Sequence, residues 1–280
     1  QIENFLDLKK LGFEFQTLWI KPGTLAGIGR LKEFETQISN YNESRNIPSL
    51  PQGTSGLSVH LRFGTLSVRE LVRRAKVHRS EGASVWLKEI IWRDFFFQIL
   101  YHFPYVVRGA FQKKYENIQW PGTEKHFRTW CEGNTGFPIV DAAMRHFNQT
   151  GWMHNRLRMI VASFLVKDLL VDWRKGEKYF AQNLLDYDLA LNNGNWQWAA
   201  STGCDAQPYF RIFNPESQSE RFDPKAHFIL KILPELNGLS PKEIHHLPSK
   251  KQRPLGLQYP DPIVNHDAQR LKALELFKRS

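Results

Sequence analysis

Hydrophobic residues recur at helical spacing along most of this chain, whereas runs of alternating β-branched residues are nearly absent. The first such series follows a glycine-rich turn: Leu31, Phe34, Ile38 and Tyr41. Spacing of three and four residues predicts one buried face per helix, whereas a strand needs a period of two. Because neither a repeat period nor a flexible linker interrupts the pattern, the sequence predicts one all-α domain over residues 1–280.

Helix boundaries can be predicted from capping and breaking residues. Ser84 is predicted to open an aromatic helix through Tyr101, and residues 152–170 to form a long, mostly buried helix. The last helix is predicted over residues 267–277. Further starts pair an N-cap candidate with a proline or with a glutamate three residues on: Ser67, Asp223 and Ser240. Loops are predicted at residues 48–53, 117–123, 192–195 and 250–262.

Charge and cysteine content limit the class of protein. The 280 residues include 38 Lys and Arg against 28 Asp and Glu, and the net charge of +10 suits a polyanionic partner. Cys131 and Cys204 offer neither a disulfide framework nor metal-ligand spacing, so we expect a reducing, cytoplasmic compartment. No apolar run approaches the roughly 20 residues that span a bilayer. The chain starts without an initiator Met or a signal pattern, so we expect that an upstream domain is missing.

Two short motifs are interpreted as structural. Gly27 and Gly29 hint at a dinucleotide loop, but the third glycine is missing and no strand precedes them. His245 and His246 have no partner acid at metal-ligand spacing, so we interpret them as part of a solvated helix face. The sequence therefore predicts no metal site.

Residues 186–211 combine paired acids, an Asn/Gly turn and two tryptophans two residues apart. The segment contains, in order, Asp186, Tyr187, Asp188, Asn192, Asn193, Gly194, Asn195, Trp196 and Trp198, and it ends on Arg211. A core strand would be β-branched, and a surface loop would not normally carry two indoles. Aromatic faces beside hydrogen-bonding acids suit a flat conjugated ligand with polar edges, such as a flavin or a nucleobase.

A second segment packs three hydroxyls and a glycine into five residues: Thr54, Ser55, Gly56, Leu57 and Ser58. Hydroxyls and closely approaching backbone N–H groups suit a diphosphate, which carries only acceptors. An ordinary turn has a similar composition and remains the alternative. Tyr41 and Arg45 lie one helical turn apart and could support the same phosphates.

The aromatic helix predicted from Ser84 carries an acid on an apolar stripe. Glu89, Trp92 and Phe96 are spaced to share one face, and Trp86 and Arg93 line the adjacent stripe. Burying a lone carboxylate is costly, so Glu89 needs a partner or a wet cleft. The alternative is an amphipathic helix with Glu89 at its polar border.

The segment from Trp152 to Met159 places an amide and a thioether on one helix face. Asn155 and Met159 are four residues apart and would point at one ligand, and the flanking Arg156 and Arg158 suit phosphate or carboxylate. His154, taken alone, is more typical of a structural histidine.

Taken together, these segments resemble the DNA photolyase/cryptochrome family over essentially the whole chain. The hydroxyl tract matches the family's phosphate-binding Thr-Ser-x-Leu-Ser motif, and residues 186–211 match its flavin-contacting segment. Asn155, Met159 and Trp198 fall on the side of the microbial photolyases that repair cyclobutane pyrimidine dimers. The resemblance implies a helical FAD-binding catalytic domain without the family's N-terminal α/β antenna domain, so no antenna chromophore is expected on this chain.

The resemblance also implies residue roles. For contacts to FAD it implies Tyr41, Thr54, Ser55, Gly56, Leu57, Ser58, Trp86, Arg158, Asp186, Tyr187, Asp188 and Asn192, with Asn192 at flavin N5. For the dimer it implies Glu89, Trp92, Asn155, Met159 and Trp198, and for other DNA contacts Arg93, Arg156 and Arg211. For electron relay, out of nine tryptophans, it implies Trp120, Trp173 and Trp196. Trp19 and Trp130 are interpreted as packing residues.

The implied activity is light-driven electron transfer from reduced FAD to a dimer in UV-damaged DNA, followed by bond splitting. Flipping of the target base is a known property of photolyases. We expect a monomer in the bacterial cytoplasm, associated with the nucleoid when bound to DNA and not with a membrane. Two alternatives remain: a cryptochrome-type photoreceptor without repair activity, and a basic helical DNA-binding protein, which would leave the tryptophan and Thr-Ser segments unexplained.

Overall fold

The computed structural model describes residues 8–12, 18–247, 253 and 257–279. Across these ranges the secondary structure consists of helices, without a strand, which confirms the all-α prediction. The α-helices are α1 (Thr24–Glu35), α2 (Tyr41–Ser44), α3 (Ser58–Arg62), α4 (Val68–Val77), α5 (Glu81–His102), α6 (Glu124–Glu132), α7 (Pro138–Thr150), α8 (Asn155–Ser163), α9 (Trp173–Asn183), α10 (Leu189–Ala200), α11 (Pro215–Phe222), α12 (His227–Ile232), α13 (Pro241–His245) and α14 (His266–Lys278). No described helix is long and apolar enough to cross a membrane.

Two hydrophobic clusters form the core, and α5 joins them. The smaller cluster lies between α1, α2, α4 and the first half of α5, and it includes Leu31, Phe34, Ile38 and Tyr41, the series that the sequence predicts to be buried. The larger cluster is built from α6 to α10 and from the later helices, with Phe147 and Leu157 completely buried. Since α5 packs against α2 and α4 and also against α10, it carries the predicted Glu89–Phe96 stripe from one cluster to the other.

The start of α5 lies three residues before the predicted Ser84. Ser80 is the N-cap, and its hydroxyl accepts a hydrogen bond from the Ala83 N–H at 3.2 Å. At Gly82 an added Cβ would lie 2.1 Å from the Ile38 carbonyl oxygen. The glycine therefore allows the first turn of α5 to approach the backbone that precedes α2.

The loop predicted at residues 192–195 is wrong, because α10 runs through it without a break. Asp188 caps the helix by accepting from the N–H groups of Ala190 and Leu191. The Asn193 side chain donates to the Val106 carbonyl at 3.0 Å. A Cβ on Gly194 would lie 2.2 Å from the Phe96 ring. Tertiary contacts with α5 and the segment after it thus override the turn propensity of these residues.

The predicted long helix over residues 152–170 is interrupted. It begins at Asn155, and Phe164–Asp168 form a π-helical turn. Within that turn the buried Lys167 ammonium donates to the Ser201 hydroxyl at 2.9 Å. Leu170 has a φ of 53°, and its carbonyl accepts from the Gly122 N–H at 2.9 Å. The predicted helix therefore ends at Leu170, whose backbone leaves the helical conformation and whose carbonyl bonds to Gly122 instead of to a later turn.

The predicted caps have mixed outcomes. The capping box of Ser240 and Glu243 is confirmed. Ser67 precedes α4, but its side chain does not cap the helix. Asp223 caps α12 through the Phe228 and Ile229 N–H groups, although that helix begins later than Asp223-Pro224 suggests.

Of the predicted loops, 48–53 and 117–123 are confirmed, and residues 250–252 and 254–256 of the fourth lie outside the described residues.

The interpretation of the histidine pair as a solvated face holds for the exposed His246 and is wrong for His245. His245 is buried, and its Nδ1 lies 2.7 Å from the Ser219 hydroxyl. His246 does have partner acids, with Nδ1 and Nε2 each 2.8 Å from a carboxylate oxygen, of Glu216 and Glu220 respectively. In the described part of the chain no group of three or more His, Cys, Asp or Glu side chains is arranged so that it could hold a metal ion.

Candidate functional site

The first turn of α8 is bound to the loop that precedes α10. The Arg158 guanidinium donates to both oxygens of Asp186, at 3.1 and 2.8 Å, and its Nε donates to the Met153 carbonyl. The Asp186 side chain is only 3% exposed, so a charge-assisted pair replaces the water that it would otherwise need. Two residues predicted to contact a flavin, 28 positions apart in sequence, therefore lie side by side.

On the outer side of the same turn, Asn155 and Met159 are neighbours. The Asn155 Nδ2 lies 3.8 Å from the Met159 sulfur. Asn155 is exposed and Met159 is half-buried, so both can reach a ligand that approaches from solvent. His154 caps the helix, because its Nδ1 accepts from the Arg156 N–H at 3.2 Å. Helix spacing and a cap thus position this pair.

Asn192 is oriented by an acid that sequence reasoning missed. Its amide nitrogen donates at 2.9 Å to both the backbone carbonyl and the carboxylate of Glu177 on α9. Since both acceptors belong to Glu177, the amide oxygen of Asn192 lies on the opposite side. Burial raises the pKa of Glu177, and the hydrogen bond from Asn192 opposes that effect. A lone Glu on a helix normally indicates a solvated face, so the sequence contains no signal for this contact.

Asp188 links α10 to α5. Besides capping α10, its carboxylate lies 3.7 Å from the Arg93 guanidinium. The Arg93 side chain also covers the Phe97 ring at 4.5 Å from its centroid. Arg93, predicted as a DNA contact, is thus engaged with a residue predicted to bind flavin. Tyr187, between the two acids, is half-buried.

Glu89 has a partner, which its position on an apolar stripe requires. The Arg45 guanidinium lies 2.7 Å from its carboxylate. From its position in the sequence, Arg45 could support the phosphates of a ligand. In the structure the Arg45 guanidinium pairs with Glu89 and lies 5.6 Å from the ring centroid of the buried Tyr41. Burial and Glu89 raise the pKa of Tyr41 to about 12, so its hydroxyl stays protonated at neutral pH. Trp86 is buried against Phe34.

The hydroxyl segment, residues 54–58, forms the loop that enters α3. Gly56 has a φ of 64°, a conformation that favours glycine. Arg30 donates to the backbone carbonyls of Thr54 and Ser55, at 3.2 and 2.8 Å, so it holds the loop without using its hydroxyls. The Ser58 hydroxyl accepts from the Trp152 indole N–H at 3.3 Å. Trp152 therefore connects this loop, across 94 positions, to the segment before α8.

Aromatic rings line a pocket between α5 and α10. Trp92 is 43% exposed, and its ring centroid lies 6.2 Å from that of the buried Phe96. Phe96 and Trp198 line one pocket together with Gly194. The resemblance implies that Trp92 and Trp198 hold one ligand. Phe96, on α5, lies close to Trp92 and lines the pocket together with Trp198 on α10.

The three tryptophans proposed as a relay lie in different surroundings. Trp173 and Trp196 are buried, and Trp120 is half-buried against Phe277 at 5.9 Å. Trp196 packs on Gly176, where an added Cβ would lie 2.2 Å from the indole, and it contacts Trp130 at 6.1 Å. Trp130 is fully buried, as expected of a packing residue. Trp19 also packs, on Trp152, but it does so at the surface, with 43% of it exposed.

Arg156 and Arg211, both predicted to contact DNA, differ in burial. Arg211 is exposed. The Arg156 guanidinium donates to the Asn46 side chain at 2.7 Å and lies 4.1 Å from the Phe222 ring centroid. Burial, together with the positive charges of Arg45 and Arg221, lowers the pKa of Arg156 to about 10. This group of like charges favours an anion beside it.

Comparison with known proteins identifies the family. Residues 86–279 match the family model described as the FAD binding domain of DNA photolyase. The chain is 48% identical to a deoxyribodipyrimidine photo-lyase of Neurospora crassa, with 95% of this chain and 46% of that protein covered. The chain belongs to the DNA photolyase family.

Two solved structures of the family share this fold. A bacterial class III photolyase from Agrobacterium tumefaciens superimposes with a TM-score of 0.87 at 41% identity, covering 93% of this chain and 56% of that one. A cryptochrome from Synechocystis sp. PCC6803 gives 0.85 at 34% identity, covering 92% and 56%. The chain spans about half the length of these relatives, and the part it matches is the FAD-binding domain.

The side chains present fit the FAD for which the family is named. Hydroxyl donors at Thr54, Ser55 and Ser58 suit a diphosphate, which carries only acceptors. The amide oxygen of Asn192 is an acceptor of the kind that a flavin N–H needs, and the Asp188 carboxylate is an acceptor beside it in sequence. These groups are held in place by Glu177, Arg30 and Trp152. The sequence pattern indicated no role for these three residues.

Proposed function

We propose that this chain is the catalytic part of a light-driven enzyme that splits cyclobutane pyrimidine dimers in DNA. The observation that carries the proposal is the placement of α8. Trp152, just before it, binds the hydroxyl loop at Ser58, and Arg158 in its first turn binds Asp186. Asn155 and Met159 stay open to solvent on its outer side. One short helix therefore joins the residues suited to FAD with residues suited to a substrate.

Each group of residues has a distinct task. Thr54, Ser55 and Ser58 donate to the FAD diphosphate, while Tyr41, Gly56, Leu57 and Trp86 shape the cleft around it. Asp186, Tyr187, Asp188 and Arg158 hold the flavin's polar edge, and Asn192 holds its central ring. When bound and reduced, FAD would lend a light-driven electron to the dimer, whose two bridging bonds then split, and the electron would return to the FAD.

The substrate is held by a polar side and an aromatic side. Glu89 accepts hydrogen bonds from the dimer bases, and the ion pair with Arg45 holds its carboxylate in place. Trp92 and Trp198 pack on the dimer, and Asn155 and Met159 contact its edge. Arg93, Arg156 and Arg211 contribute positive charge, as does the net +10 of the chain.

A cryptochrome-type photoreceptor is the second candidate. The observation that favours it is the likeness to the Synechocystis cryptochrome, at a TM-score of 0.85. Repair requires a dimer in the pocket and signalling does not, so a test of repair separates the two functions.

The test is recovery of thymine absorbance from an irradiated oligothymidine by the reduced, FAD-loaded chain. We expect recovery only under blue or near-ultraviolet light. Glu89→Gln should slow it at least tenfold, since one oxygen of the carboxylate becomes a donor. Glu132→Gln, at an exposed acid on α6 away from the proposed site, is the matched control and should repair normally. Tight FAD binding without recovery supports the photoreceptor, and absence of FAD binding contradicts both functions.

We also propose a monomer that works in a reducing, bacterial cytoplasm and associates with nucleoid DNA. Both cysteines are free, which supports the compartment, and the basic charge supports association with DNA. Sedimentation of the chain with and without a dimer-containing oligonucleotide tests the oligomeric state.

A further inference from the structure

Two exposed aromatic rings and one half-buried ring form a cluster just beyond the end of α5. Phe103 is 38% exposed and Tyr105 is 40% exposed, and both contact Phe111. The centroid of Phe103 lies 5.1 Å from that of Phe111, and the Tyr105 ring is stacked on Phe111 with an angle of 25° between their planes. Grouped aromatic rings in contact with water are costly unless they bind something.

The segment that carries this cluster, residues 103–112, is rigidly held by buried amides from α10. The Gln197 side chain donates to the Val106 and Gly109 carbonyls at 3.1 and 3.2 Å, and its oxygen accepts from the Phe111 N–H at 2.8 Å. Gln112 is in turn bonded to the backbone of Gly203 at 2.8 Å. Because the segment is already ordered, binding to it costs little conformational entropy.

A pocket between α5 and α10 links the cluster to one of the proposed dimer contacts. Phe111 and Trp198 line the same pocket between α5 and α10, together with Phe96, Ile99 and the exposed Asp205. Trp198 lies one residue after Gln197, so the helix that carries the proposed dimer contact also holds the cluster in place. Trp198 is the residue that this pocket shares with the proposed dimer contacts, and Phe111 is the residue that it shares with the cluster.

Charge complements the rings. The Lys113 ammonium lies 4.1 Å from the Tyr105 ring centroid, and Arg108 beside it is exposed. A ring with a cation next to it is the arrangement by which proteins bind single-stranded nucleic acid, with the base on the ring and the phosphate on the cation. Asp205 can accept a hydrogen bond from an exocyclic amine of a base.

We propose that Phe103, Tyr105 and Phe111 bind the nucleobase that flanks the dimer on the same strand, with Lys113 on its phosphate. This inference rests on the proposed function and adds a subsite to it. The occupant is one unpaired base of the damaged strand, because Trp198, a proposed dimer contact, lines the same pocket as Phe111.

Binding in the dark to three single-stranded probes tests the inference. The probes are a bare thymine dimer dinucleotide, a dimer flanked by one nucleotide on each side, and the same flanked dimer with abasic flanks. The FAD-loaded wild type should bind the base-flanked probe about 5- to 100-fold more tightly than the abasic one. Phe103→Ala should remove most of that difference and leave the affinity for the bare dimer unchanged.

Phe63→Ala is the matched control, because Phe63 is 69% exposed at the end of α3 and outside the cluster. It should keep the full preference for base-flanked DNA. A wild type that binds the bare dimer but shows no preference for flanking bases overturns the subsite alone. An unchanged preference in Phe103→Ala also overturns it. A wild type that binds none of the probes overturns the proposed function and the subsite with it.

Discussion

At the scale of single residues, His154 shows how burial and capping combine. It is 4% exposed, and its Nδ1 must be unprotonated to accept from the Arg156 N–H. Burial, with the charges of Arg156 and Arg158, lowers its pKa to about 4. The neutral ring caps the helix that carries Asn155 and Met159, so its protonation state bears on both stability and the proposed site.

The pH dependence follows from the sign of that shift. As pH falls from 6.5 through 4, the unfolded chain takes up the proton first, so the free energy of unfolding decreases across this window. The full effect is roughly 3 kcal/mol. His154→Asn keeps a capping acceptor but cannot titrate. Urea unfolding at several pH values should show a steeper acid loss in the wild type than in this variant, and parallel curves would contradict the assignment.

Trp196 tests the proposed relay, also at the residue scale. Trp196→Phe keeps most of the packing on Phe180 and Trp130 but removes the oxidisable indole. We expect slower photoreduction of oxidised FAD, with FAD still bound and repair by chemically reduced protein near the wild-type rate. Trp130→Phe, an equally buried indole in direct contact with Trp196, is the control. It should photoreduce normally, and slowing in both variants would indicate a packing effect instead.

At the scale of elements, buried polar side chains decide where helices and loops lie. Asp141 on α7 is completely buried and accepts hydrogen bonds from the Thr135 and Gly136 N–H groups and from the Tyr259 hydroxyl. One carboxylate thus ties the start of α7 to the segment before α14. Gln197 does the same between α10 and the aromatic cluster segment.

Asp141→Asn should therefore destabilise the protein by about 1–3 kcal/mol, because the new NH₂ group faces donors and leaves one buried donor without an acceptor. Asp94→Asn, at an exposed position of α5, is the matched control and should change the free energy of unfolding by less than about 0.5 kcal/mol. Denaturant unfolding at neutral pH measures both. Equal stability of the two variants would show that the buried acid does not hold these elements together.

At the scale of the whole molecule, the net charge of +10 matters through where it is placed. The exposed Arg211 is free to reach a phosphate, whereas Arg156 is half-buried against Phe222 and Asn46. Positive charge near the pocket should bind the DNA backbone without regard to sequence.

Salt dependence measures those contacts. Arg211→Ala should weaken binding of a dimer-containing oligonucleotide and reduce the slope of log affinity against log salt by about one unit. Arg156→Ala should do the same and also lower stability, since its guanidinium packs inside the molecule. Arg73→Ala, an exposed arginine paired with Glu70, is the control. A slope unchanged by Arg211→Ala would remove that residue from the proposed contacts.

The class of fold and the family can be recognised from local patterns in the chain. Hydrophobic spacing, the Ser240–Glu243 box and the order of the Thr-Ser, Glu-Trp and Asn-Met segments depend on residues that are close together in the chain, so they can be recognised without coordinates. The pairing of Asn155 with Met159 is of this kind, because one helical turn brings them together.

Contacts between side chains that are far apart in the sequence depend on how the helices pack. The turn-forming residues 192–195 are helical because α5 and the segment after it pack on them. Arg45 pairs with Glu89 because α2 lies against α5. The pairing of Asn192 with Glu177 and of Gln197 with the Phe111 backbone joins positions 15 and 86 apart. Local propensity has no information on such pairs, since what fixes them is the cost of leaving a buried polar group without a partner.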